Sequence, residues 1–437
     1  MSESRLFQVS DEERSRQWGL LERLYPIARS LMGEGYRRSI DLLRERLPLE
    51  VLEIPTGTKL GSWAVPPEWR VRDAWVEDES GRRLFGYRES PFHLWHYSAP
   101  FEGVLSRDEL LGHVATSDLC PDGIPLVVTY YRRTWGFSVT AKQQSELTGD
   151  RYRVVVDTEF VDGSLTIGWL DLPGDGPKTI LLDAVLSSPS LANNMSGVVV
   201  AVTLAELLMR QERRRLGYRL FLTPETIGPI ALFHFAPDLL ADVVAGCTFV
   251  NLGDSGDFHY RQSRPGDTVV DRAVRHVLRQ LGSGTAEPFD VRTGTCGNEK
   301  AYNSLGIEIP VGSLRRSHLG AYPEYDTSRD DMSQVEAGAL FQSLQVAWAA
   351  VQTIERDVIL RHRFDGEPFL TGYGLFPKIA NVQDRLAWDY LMGFSTGDLT
   401  TVEIADRGGF AVDALDQPVR LMLEKGLLEE VERLPGC

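Results

Sequence analysis

The sequence predicts an α/β protein: a largely parallel sheet flanked by helices, interrupted by a β-rich insertion and followed by a small helical unit. Three observations carry this. Short apolar runs alternate with helical patterns from residue 178 to about 356. A block of short aromatic strands separated by Pro and Gly fills 51–165, and the texture changes again after 357. Strand–helix alternation implies parallel pairing, because parallel strands need a crossover.

The opening segment reads as two helices. QWGLLERLYPIARSLM places apolar residues at helical spacing, MGEG breaks it, and YRRSIDLLRERL resumes with Ile40, Leu42, Leu43 and Leu47. GSWAVPPEWRVRDAWVED, RRLFGY, HLWHYSAP and RYRVVVDTEF then read as strands of a mostly antiparallel domain. In the α/β part, KTILLDAVLS, YRLFLTPE, AGCTFVNLGD and GIEIPVGSL are strands. NNMSGVVVAVTLAELLMRQERRR, TVVDRAVRHVLRQLG and MSQVEAGALFQSLQVAWAAVQTI are helices. The expected organisation is 1–50 plus 166–356 as one domain, 51–165 inserted into it, and 357–437 as a winged-helix-like unit of three helices and a hairpin.

Composition narrows the function. The 437 residues are 43% hydrophobic and 25% charged, enough to bury a large core, which excludes disordered and fibrous classes. A net charge of −16 argues against wide contact with nucleic acid or an anionic membrane. Four scattered cysteines form neither a disulfide framework nor a CxxC metal site. No run of 18 apolar residues occurs, and the polar first residues lack a signal-like apolar core, so a cytoplasmic setting is expected. Residues 385–437 carry five Lys/Arg against ten Asp/Glu. The C-terminal unit is therefore expected to contact protein, a second copy included, rather than DNA.

Ligands of α/β sheets bind at the carboxyl ends of the strands. Polar residues gather there: DAVLSSPSLANNMSG, TPETIG, NLGDSGDFHYRQSRPGD, GNEKAY and RRSHLGAYPEYDTSRDD. In these motifs, in WAVPPEW, YSAP, YYRRTWGF and IPVGSL, and in their order, nearly the whole chain resembles a bacterial aminopeptidase-like family of the DUF4910/DUF2172 type. The resemblance implies an M28-type zinc-peptidase fold, a mixed sheet flanked by helices, with a β insertion and a C-terminal winged helix.

The chain departs from the family at the metal ligands. Where the family pattern has His-x-Cys-His-Pro-Ser, this sequence has Val185-Leu186-Ser187-Ser188-Pro189-Ser190. Where the family has Ala-Asn-Asp-Asn-Leu-Ser-Gly, it has the shorter Ala192-Asn193-Asn194-Met195-Ser196-Gly197, without the metal-binding Asp. Asp326 stands where the family has the His of Tyr-His-Thr-Ser, while Glu225 and Glu299 are retained. Zinc needs at least three good N, O or S donors. Three carboxylates with no imidazole suit a hard cation better, would equally hold a cationic amine, or bind nothing. The expectation is no metal and no cofactor.

The expected catalytic residues are Glu225, Glu299, Asp326 and His318, with Glu225 the general acid/base and Glu299 and Asp326 holding an amine. Asn193, Asn194, His259, Arg264, Arg316 and Tyr325 are expected to contact the substrate, the arginines by gripping a carboxylate. Each has a structural reading too: a carboxylate at a strand end bonded to backbone, a helix N-cap at Asp326, a packed histidine, an arginine in a salt bridge. The functional expectation is a metal-independent enzyme acting on an amide or amino-acid-derived small molecule. The alternatives are a non-catalytic pseudo-peptidase and a residual metallo-aminopeptidase.

Overall fold

A computed structural model describes residues 8–189, 191–291, 297–317, 322–375 and 382–432. Its centre is an eight-stranded sheet, whose strands alone are numbered: β1 Glu50–Pro55, β2 Ser164–Leu172, β3 Thr179–Val185, β4 Gly217–Thr223, β5 Val243–Phe249, β6 His259–Arg261, β7 Thr285–Glu287 and β8 Val311–Arg315. The order is β1-β2-β4-β3-β5-β8-β6-β7. The four central strands run parallel, while β1 and β2 at one side and β6 against β8 run antiparallel. Helices α1 Glu12–Leu24, α2 Glu34–Arg44, α3 Ala192–Met209, α4 Ile227–Phe235, α5 Val269–Leu281, α6 Asn298–Tyr302 and α7 Ala337–Arg356 surround it.

The apolar runs explain this layout. All seven residues of β3 and of β4 are buried, as strands covered on both faces must be. Ile180, Leu182 and Ala184 face one core with α1, α3, α5 and α7. Leu181 and Phe221 face a second core with α4, Tyr302 of α6 and the insertion. Helix α3 is apolar on every side, long enough to cross a membrane, and lies 83% buried inside the molecule. Its first turns press against β5. A Cβ on Gly197 would lie 2.2 Å from the Phe249 carbonyl oxygen, which explains the glycine of NNMSG.

The strand over 50–55, almost all of it assigned by sequence to the insertion, belongs to the central sheet. Residues 50–55 pair with 164–169, so the inserted chain is 56–163. Its core is a four-stranded antiparallel sheet built on Glu68–Glu77 and Arg151–Val161. The short strands β6 and β7 were not read from the sequence; β6 lies inside a polar run that reads as a loop.

After α7 come helices Val382–Phe394, Thr401–Gly408 and Asp416–Glu424 with a three-stranded antiparallel sheet. Among the described residues the expected hairpin is not formed. Thr396–Thr400 and Leu428–Val431 each pair with Ile359–His362, the strand that leaves α7. This unit is latched to the main domain by buried His276 of α5. Its Nδ1 bonds Asp406 at 2.6 Å, and its Nε2 accepts from the Val412 N–H at 3.1 Å.

Gly197→Ala should push α3 away from β5. The expected cost is about 1–3 kcal/mol, read as a lower thermal unfolding midpoint. An unchanged midpoint would mean that this contact is looser than described.

Candidate active site

The site is built on a row of registered residues across the sheet. Asp183 of β3 faces Thr248 of β5, Thr248 faces Ser313 of β8, and Ser313 faces Arg261 of β6. All lie on the face covered by α6. Asp183 is fully buried. Its carboxylate accepts from the Thr223 hydroxyl at 2.9 Å, the Asn298 amide at 2.9 Å and the Tyr302 hydroxyl at 3.3 Å. Burial, reinforced by the charge of Glu299, lifts its carboxyl to about 7. Asn298 also accepts from the Thr226 N–H at 2.8 Å, which ties the PETIG turn to α6.

Glu225 follows β4, and its N–H donates to the Ser187 hydroxyl at 3.1 Å. Its carboxyl is lifted to about 7, first by burial, then by the charges of Asp326 and Glu299. Those three carboxylates therefore share one electrostatic environment. Asp326, at φ 54°, is lifted to about 6 by burial against the lowering effect of a Tyr325 hydrogen bond. Glu299 is different. Its Oε1 pairs with Arg315 at 3.0 Å and Arg261 at 3.5 Å, and its buried Oε2 has no protein partner. By sequence this carboxylate is expected to hold an amine; in the structure it is ion-paired to two arginines and keeps its charge. Its role here is to bear on Glu225 and Asp183.

A second group of acids adjoins the first. The carboxylate of Asp330 accepts from the Asn193 N–H at 2.9 Å; burial first, then the charges of Asp326, Asp331 and Asp254, lift it to about 7. The Asn193 amide donates to Asp254 at 2.8 Å and the Tyr322 hydroxyl at 3.2 Å, and accepts from the Gly253 N–H at 2.9 Å. Asn193 is thus a fastener between loops. Asn194 accepts from the Ser188 hydroxyl at 2.7 Å.

The remaining expected contacts divide. Arg316 is a correction: it is buried, stacked on Phe258, and donates to Ser343, Gly256, Ala339 and Gln342. It fixes α7 and has no fork left for a substrate carboxylate. Arg264 is exposed and bonds the Asn303 carbonyl at 3.4 Å. His259 lies across the ladder from Arg315, with its Nδ1 2.9 Å from the Thr285 hydroxyl. His318 lies outside the described residues.

Four contributors were not singled out from the sequence: Asp330, Asp254, Arg315 and Tyr130. Tyr130 comes from the insertion. Its hydroxyl is pushed well above the ordinary tyrosine value, by burial first and then by Glu225 and Asp326. The insertion reaches the site because Pro125 bridges Thr327, and the Leu126 N–H donates to the Asp326 carbonyl at 2.7 Å. A sequence distance of some 200 residues hides that contact.

The fold and this edge-of-sheet site define an aminopeptidase-like protein. Residues 18–357 match the family described as a domain of unknown function, DUF4910, and the chain belongs to that family. It is 32% identical over 425 residues to a Clostridium acetobutylicum protein provisionally named a polysaccharide biosynthesis protein with an aminopeptidase-like domain; the match covers 94% of this chain and 97% of that one. A crystal structure of a provisionally named peptidase from Clostridium acetobutylicum superposes with a TM-score of 0.89 at 31% identity, over 97% of this chain and 98% of that one. A peptidase M28 precursor from Shewanella amazonensis shares the fold, with a TM-score of 0.55 at 11% identity over 82% of this chain and 99% of that one. So does a zinc aminopeptidase from Bacillus subtilis, with a TM-score of 0.54 at 13% identity over 78% of this chain and 93% of that one.

The zinc of that last neighbour prompts a test of fit. Among the described residues no three His, Cys, Asp or Glu side chains group as a metal set. Val185 and Ser188 offer no imidazole, Asp183 is occupied by three protein donors, and Asn193 donates rather than ligates. These residues do not fit zinc.

Glu225 ionises near pH 4.5 in the unfolded chain and near 7 when folded. A raised acid contributes stability below the lower value and loses it as pH rises through the upper one. Glu225→Gln should therefore be more stable than the parent at pH 8, by on the order of 3 kcal/mol, read as a higher unfolding midpoint, with the gap closing near pH 4. A gap independent of pH would contradict the assignment.

Proposed function

We propose that this chain is a metal-independent enzyme that cleaves an amide in an amino-acid-derived small molecule. The observation that carries the reading is the Glu225 carboxyl, held at about 7 by burial and by its acidic neighbours at the edge of the sheet. Such a group is partly protonated at neutral pH, so it can take a proton in one step and return it in the next.

In this reading Glu225 takes a proton from a water molecule as the water oxygen attacks the amide carbon. The tetrahedral intermediate then collapses as Glu225 returns that proton to the leaving nitrogen and the C–N bond breaks. Tyr130, its hydroxyl protonated throughout the working pH range, donates to the developing oxyanion. Asp326 is ionised above about pH 6 and holds the substrate ammonium. Glu299, ion-paired with Arg315, keeps the Glu225 carboxyl high.

The test is turnover of a panel of N-acyl and aminoacyl amides. Glu225→Gln should lower kcat by about 10²–10⁴-fold with the fold intact, and kcat/KM should rise through about pH 6–7 as Asp326 and Glu225 ionise. Activity should survive dialysis against a chelator. Wild-type turnover in Glu225→Gln would favour the non-catalytic binding protein. Loss on chelation, restored by zinc, would favour the metallo-aminopeptidase.

A further inference from the structure

The turn that carries Glu225 is held in a strained shape. β4 ends at Thr223 and α4 begins at Ile227, so Pro224, Glu225 and Thr226 alone join them. Thr226 sits at φ 62° and ψ −58°. The Ile227 N–H reaches back to the Glu225 carbonyl at 2.6 Å, which closes a γ-turn of the rare form with positive φ at its centre. A β-branched residue is poorly suited to that place. Relaxation to negative φ cannot stay local. The start of α4 is packed on the strand end, where a Cβ on Gly228 would lie 2.6 Å from the Thr223 Cβ, and Pro224 cannot change its φ. Any relaxation at Thr226 is therefore taken up at Glu225.

Two bonds from outside the turn oppose this. The Ser187 hydroxyl holds the Glu225 N–H, and Asn298 Oδ1 accepts from the Thr226 N–H at 2.8 Å. The second is fixed in direction. Asn298 is fully buried. Its Nδ2 donates to Asp183 at 2.9 Å and to the Thr223 hydroxyl oxygen at 2.6 Å. The Thr223 hydrogen already goes to Asp183. An amide turned end for end would set its oxygen against that carboxylate, so Asn298 faces Thr226 with its oxygen only.

We infer that Asn298 is the positioning residue of this site: its amide, oriented by Asp183, holds Thr226 in the strained turn and so keeps the Glu225 carboxyl in place. The inference rests on the reading of Glu225 as the general acid/base. Without the amide the turn relaxes and takes Glu225 with it. Asp326, which holds the substrate ammonium in that reading, lies on another loop, so kcat and not KM falls. Thr226→Gly removes the reason to relax, because glycine adopts positive φ without a Cβ penalty.

The test crosses Asn298→Ala with Thr226→Gly in the full chain. It reads turnover of the amide panel and hydrogen exchange at the Glu225 and Ile227 amides. Asn298→Ala alone should lower kcat by about 10²-fold, leave KM within about twofold, and speed exchange at those amides by about tenfold. In the Thr226→Gly background both effects should shrink by about threefold or more. Equal effects in the two backgrounds would overturn the inference, and so would failure of Asn298→Ala to fold in both. Folding in the Thr226→Gly background alone would support it. If nothing in the panel is turned over, the amide-cleaving reading fails by itself, and exchange still decides whether Asn298 holds the turn.

Discussion

Everything at the strand edge depends on one buried carboxyl group, Asp183. A fully buried acid in the middle of a parallel sheet is costly unless its oxygens find donors. Here the donors are Thr223 on the neighbouring strand and Asn298 and Tyr302 on the short helix above. Those bonds position α6, α6 positions Glu299, and Glu299 bears on Glu225. The Arg315–Glu299 pair closes the same row from the other side. The polar row thus works as a frame, and the Glu225 carboxyl hangs from it.

The acids are coupled in a chain, so no one of them titrates alone. Asp326 acts on Glu225 and on Asp330, and Glu299 acts on Glu225 and Asp183. A ligand that brings a positive charge into this chain would favour ionisation of several members at once. That is a physical reason for such a site to prefer amines, and it requires no imidazole.

The α/β core was legible because its strands are short and apolar and its helices are periodic. PETIG and YDTS were singled out as candidate segments because both follow or flank strand ends, and the structure brings Glu225 and Asp326 into one electrostatic environment. Local chemistry misled at Arg316, where an arginine beside a polar loop looks like an anion grip but is consumed by α7 and a carbonyl. Pairing between strands distant in sequence was not legible. Nothing in VLEIPT says that this strand leaves the insertion to join the central sheet, and nothing near Tyr130 points to Glu225. The sequence marks chemistry along the chain, whereas closure of the site depends on which chain ends meet.

The insertion begins and ends at one point. Pro55 and Ser164 are cross-strand partners, and the Thr56 N–H donates to the Gly163 carbonyl at 2.9 Å. A graft whose two ends are neighbours can change length without disturbing the register of its host sheet. Its free choice ends at the far tip, where Pro125 and Leu126 are stitched to Thr327 and Asp326. This geometry lets the body of the graft diverge while the tip stays in step with the acids it covers.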